Sequence, residues 1–136
     1  MNQTFGYSVL VDIFQNITAI TNKLDTFVVG TTTYPAIFSG RMLPALYQDL
    51  NKTLQIYRNS PVGSGDYNEI TYTVNCRQTN EQDAEALAKL VYNATNRVFD
   101  DYSGSVVYLR SRVNNAILEE ENCWNCPVDI RIGNSL

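Results

Sequence analysis

The chain has 136 residues, 44% of them hydrophobic and 18% charged, with 14 acidic and 10 basic side chains, a net charge of -4 and no histidine. That length and apolar content suit a single folded domain over residues 1–136 that buries about two-thirds of its unfolded surface, and they argue against disorder. Without histidine the commonest general base and metal ligand are missing, so the chain is expected to be no enzyme and to carry no cofactor; its negative charge, with no run of three Lys or Arg, argues against sequence-specific nucleic-acid binding.

The N-terminus, Met1-Asn2-Gln3-Thr4-Phe5-Gly6, has neither the basic start nor the apolar core of a signal peptide, so a cytosolic product is expected. Val9, Leu10, Ile13, Phe14, Ile17, Ile20 and Leu24 recur at spacings of three and four, which predicts one amphipathic helix over residues 7–24. From 25 to 52 the pattern weakens into a long irregular connection, with a short strand at Phe27-Val28-Val29 and a helical turn around 44–50. The charge-free run from Phe27 to Gly40 is rich in threonine and glycine and is no membrane span. Irregular stretches of this length tend to be functional or to order against a partner.

Residues 53–58 alternate as a strand, and residues 59–66 are dense in turn formers. The second arm of this hairpin runs from Tyr67 to Arg77, with Ile70, Tyr72, Val74 and Cys76 on its apolar face. Thr79 or Asn80 then caps a second helix, whose stripe is Ala84, Leu87, Ala88, Val91, Ala94, Thr95 and Val98. Residues 100–104 end it, 105–113 form a strand, Glu119-Glu120-Glu121 marks a solvated turn, and 123–132 form a closing strand. The expected fold class is therefore α+β, a two-layer sandwich of two helices on one face of an antiparallel sheet of about four strands.

Few residues offer chemistry. Gly63-Ser64-Gly65 lacks the rest of a phosphate loop and reads as a flexible turn, and Asp100-Asp101 lacks the surroundings of a catalytic or calcium-binding pair. Cys123-Trp124-Asn125-Cys126 has the spacing of a redox pair or of half a zinc site. Pro127 and the strand after it do not suit the redox reading, and zinc lacks ligands, so structural thiols are expected, with redox and metal roles as the alternatives. Nine tyrosines read either as interface anchors or as ordinary strand residues. The candidate interface residues are Tyr34, Phe38, Arg41, Tyr57 and Tyr67, in or beside the segments 26–44 and 59–67.

The order of elements resembles one known family. An amphipathic first helix precedes Tyr34-Pro35, a strand ends Ile56-Tyr57-Arg58, and a glycine-rich hairpin leads to Tyr72-Thr73-Val74-Asn75-Cys76. Asp83-Ala84-Glu85-Ala86-Leu87-Ala88 then begins a helix, and the chain closes on Val128-Asp129-Ile130-Arg131-Ile132. This arrangement resembles the tail terminator, or tail-completion, proteins of long-tailed bacteriophages. The resemblance implies a structural virion protein, a homo-oligomeric ring, usually a hexamer, at the head-proximal end of the tail. Such a ring stops growth of the tail tube and joins the tail to the head connector. Its partners would be the tube and connector proteins, with DNA passing through a channel and no membrane involved. The alternatives are another neck, head-completion or adaptor protein, or, in a different class, a small ligand-binding regulatory domain.

Overall fold

The computed structural model describes residues 3–40, 49–59, 69–102 and 105–134. Helix α1 covers Gln3–Gln15 and a single turn, α2, covers Thr18–Thr21. The periodicity that suggested one helix to residue 24 is therefore split in two. Asn16 causes the split: its side-chain amide donates to the Asp12 carbonyl at 2.7 Å, taking the acceptor that a continuing backbone N–H would use, and Ile17 is extended. Ile20 and Leu24 are nevertheless buried with Val9, Leu10 and Phe14.

The connection after α2 is more regular than its sequence suggested. Strands β1 (Thr26–Val29) and β2 (Thr32–Pro35) form a separate antiparallel hairpin, and β3 (Ile37–Ser39) runs parallel to β4 (Thr53–Arg58). Asp25 fastens this region, since its carboxylate accepts from the backbone N–H groups of Asn51 and Lys52 at 3.1 and 3.0 Å. The helical turn expected around 44–50 lies largely outside the described residues.

Strand β5 (Glu69–Gln78) is antiparallel to β4 and leads into helix α3 (Glu81–Thr95). Asn80 is the cap: its side-chain oxygen accepts from the Asp83 N–H at 2.9 Å while its amide donates to the Asp83 carboxylate. Replacing Asn80 by alanine is expected to cost about 1 kcal/mol, a fall of about 3 °C in Tm, whereas glycine costs only a few tenths. Thermal unfolding followed by circular dichroism checks the order.

α3 ends three residues before Val98, which was expected to extend its stripe. Asn96 leaves the helical region, and its side chain accepts from the Ser111 N–H and donates to the Tyr92 hydroxyl. Arg97 then adopts a φ of 58°, which turns the chain into strand β6 (Val98–Tyr102). β6 forms a hairpin with β7 (Ser105–Val113), so residues 98–102 are strand and not a helix terminus. The acidic segment is also paired: β8 (Ile117–Glu120) folds back on β9 (Cys123–Asn125), followed by β10 (Val128–Asn134). Pro127 has no N–H for the ladder and separates the last two strands.

The protein is α+β, with three helices and a mixed sheet of eight strands among the described residues, where two helices and about four strands were expected. The strand order is β3-β4-β5-β10-β7-β6, with β9 pairing both β5 and β8. One continuous core joins α1 and α3 to the alternating apolar residues of four strands: Leu54 and Ile56, Tyr72 and Val74, Val107 and Leu109, and Val128, Ile130 and Ile132. The helix stripe Ala84, Leu87, Ala88 and Val91 is wholly buried, its small alanines admitting close approach. Among the described residues no helix is long and apolar enough to cross a membrane.

Candidate functional site

Side chains alternate across a strand, so the residues between the core positions share the opposite face of the sheet. On β10 these are Asp129 and Arg131, on β7 Tyr108, Arg110 and Arg112, and on β5 Thr71 and Thr73. Register fixes their neighbours: Arg131 lies directly opposite Arg110 on one side and Thr71 on the other, and Asp129 lies between Arg112 and Thr73. Arg110 and Arg112 of β7 are thus brought beside Arg131, distant in sequence, around a concavity of about 360 Å³, together with Thr71, Ser111 and Asp129.

The carboxylate in this group is fixed. Asp129 accepts from the Thr73 hydroxyl at 2.8 Å and the Asn114 amide at 3.0 Å, with Arg112 at 3.4 Å. Arg131 reaches Glu69 only at 4.0 Å, and Arg110 makes no ion pair among the described residues. Like charges directly opposite on neighbouring strands repel, so the Arg110–Arg131 pair is incompletely neutralised by the described residues. Beside it, Phe99 packs on Tyr108 with ring centroids 4.7 Å apart, yet Phe99 is 71% exposed.

At the end of the sheet a polar network supports the β8–β9 arm. Gln55 accepts from Arg77 at 2.6 Å and from Asn75 at 3.1 Å, Asn125 donates to Asn75, and Arg77 in turn holds the Glu119 carboxylate at 2.7 Å. The rest of the arm is open: all four residues of β8 are exposed although they alternate between faces, and Ile117 and Leu118 are each 54% exposed. Glu120 and Glu121 follow them at the turn.

The sequence-based candidates are scattered. Tyr34 is exposed on β2 and stacks on Phe27 at 5.6 Å. Phe38 stacks on the same ring at 5.2 Å but is buried, so it supports the hairpin from below. Tyr57 is half-buried on β4 opposite Thr73, in a different sheet from Tyr34. Arg41 and Tyr67 lie outside the described residues, as does the glycine-rich turn at 63–65. Asp101 lies exposed on β6 opposite Val106.

Burial accounts for the cysteines. Cys76 is fully enclosed, and desolvation pushes its thiol well above the usual range, reinforced by Cys126. Desolvation also raises Cys123, with Glu119 adding to it, and Cys126, with Glu85 adding to it. The Cys126 N–H donates to the Cys76 carbonyl of β5, so Cys126 is held against the sheet between β9 and β10 and not at a helix start. Protonated buried thiols are poor nucleophiles, and all three are free.

Of the features that matter at this surface, the spacing of Arg110 with Arg112 and of Asp129 with Arg131 was readable as shared strand faces. Their convergence depends on the β10–β7 register, which periodicity does not give. No family model, curated protein or solved structure matches the chain.

Proposed function

We propose that this chain is a structural subunit that assembles into a ring, as tail terminator proteins do, with its helices and sheet forming two layers that leave the hairpins free for contacts. The observation that supports this reading is the placement of exposed apolar side chains. Among the described residues, the large ones at least 40% exposed are Val28, Val29, Tyr34, Phe99, Val106, Val113, Ile117 and Leu118, and every one is on a strand of a hairpin. All but Val113, which lies at the far end of β7 on its other face, fall into three separate groups. One is on β1–β2, whose Phe27 packs on β3 at one end of the strand order; one is on β6–β7 at the other end; and one is on the β8–β9 arm.

Separate apolar groups suit a subunit that meets different neighbours through different surfaces. Contacts round a closed ring are heterologous and use two unlike patches, and a third patch is available to the proteins above or below. In this reading the ring stops tube growth and joins the tail to the head connector, and geometry and self-association constitute the function.

Mass photometry of the purified chain at micromolar concentration, with electron microscopy, is expected to show one dominant closed oligomer. A strictly monomeric chain would end the proposal. Phe99→Ser combined with Val106→Ser is expected to raise the monomer fraction about tenfold or more while leaving the thermal midpoint almost unchanged, because both side chains are exposed in the protomer. An unaltered mass distribution would remove the β6–β7 surface from the assembly.

A further inference from the structure

We infer that the β8–β9 arm of one copy docks on the arginine-bearing sheet face of the next, placing the carboxylates of Glu120 and Glu121 on Arg110 and Arg131. This inference rests on the ring reading and identifies its contact.

Each half of the contact is incomplete alone. Arg110 and Arg131 lie opposite each other, with one carboxylate, Glu69, 4.0 Å from Arg131 and none paired with Arg110 among the described residues. An incoming carboxylate relieves their repulsion and can be held in bidentate fashion by a guanidinium. The arm carries the opposite charge. Glu119 is already committed to Arg77, which fixes the base of the arm and leaves Glu120 and Glu121 exposed beyond it.

Both halves also carry exposed apolar side chains: Ile117 and Leu118 precede the acidic turn on the arm, and Phe99 lies opposite Tyr108, next to Arg110 along the same face of β7, with Val106 beyond it. Among the described residues β8 pairs with β9 alone and is exposed on both faces, the condition of an edge strand that a neighbour covers. The two surfaces are different, so the contact is heterologous and propagates from copy to copy.

A nucleic acid is a poorer occupant of this face. Asp129 lies among the arginines, Glu69 and Asp101 lie on adjacent strands, and the whole chain carries a charge of -4, which together oppose a phosphate backbone. A carboxylate-bearing protein arm needs only a local complement.

The test is a charge swap. Arg110→Glu with Arg131→Glu, and separately Glu120→Arg with Glu121→Arg, are each expected to weaken assembly about thirtyfold or more. All four side chains are exposed, and circular dichroism with thermal melting verifies that both variants fold. The chain carrying all four substitutions is expected to recover the parent oligomer, and so is an equimolar mixture of the two doubly substituted chains. Assembly by either variant at the parent concentration, or failure of the fourfold variant to recover, overturns the arm-to-face contact. A labelled single-stranded oligonucleotide, added as a control, is expected not to bind; binding that is lost with Arg110→Glu and Arg131→Glu also overturns it in favour of a nucleic-acid surface. If the parent chain is itself monomeric, the ring reading has failed first; if the parent assembles and the variants assemble equally well, only this contact has failed.

Discussion

Tyr72→Ala is expected to lower stability by about 3–5 kcal/mol, the range for truncating a large aromatic side chain in a core. Tyr72 lies on β5, paired with Arg58 of β4 on one side and Ile130 of β10 on the other, and its ring is fully buried. It meets Tyr7 of α1 edge to face at 5.1 Å, and burial pushes its hydroxyl up to about 12, so the group is neutral at any physiological pH. The Tyr7 hydroxyl in turn accepts from the Arg58 N–H at 2.9 Å, so the two tyrosines join helix to sheet. Removing the ring leaves a cavity at that junction and loosens the seating of α1. For a chain of this size the thermal midpoint should fall by roughly 10–15 °C. A fall of less than about 3 °C in calorimetry would falsify the assignment of Tyr72 as the keystone of the α1 contact.

Gly6→Ala is expected to destabilise, against the sign of helix propensity. Alanine is worth about 1 kcal/mol over glycine in an exposed helix. Gly6, however, is buried in α1, and a Cβ built there meets the hydroxyl and ring carbons of Tyr72 inside normal contact distance. Overpacking of this kind costs about 1–3 kcal/mol, and the sheet on either side of Tyr72 leaves the ring little room to retreat. The net effect should be a loss of stability in urea unfolding. The cause is separable: in a chain already carrying Tyr72→Leu, the same Gly6→Ala change should cost less or become stabilising, an interaction energy that only contacting residues produce. A purely additive double variant would show that Gly6 is constrained by something other than Tyr72.

The two substitutions also show which parts of the fold the sequence could announce. β4 at residues 53–58 and β7 at 105–113 have the bounds expected from alternation, and the Asn80 cap lies where the acidic first turn implied. The apolar face of β5 is the expected one, including buried Cys76. The α1–α2 break and the start of β6 were not legible, because each is decided by an asparagine side chain bonding to backbone: Asn16 to Asp12, and Asn96 to Ser111. Val98 and Phe99 fit a helical stripe as well as a strand, and the extended Asn96 with Arg97 at positive φ settles the matter. The parallel β3–β4 pair was invisible for a similar reason. Three residues carry no periodicity, and their pairing is a long-range event.

Sequence by itself determined the α+β class, the helix and strand faces that enter the core, and the exclusion of histidine chemistry, since all of these follow from composition and from periods of two and 3.6 residues. Tertiary structure alone decided which surfaces are available for assembly. It buried Phe38 while leaving Tyr34 exposed, folded the acidic segment into an arm, and set Arg110 opposite Arg131. The physical reason is that burial and charge pairing depend on register between strands far apart in the chain. A shift of one residue would exchange the two faces of a strand, and nothing local in the sequence records which register is adopted.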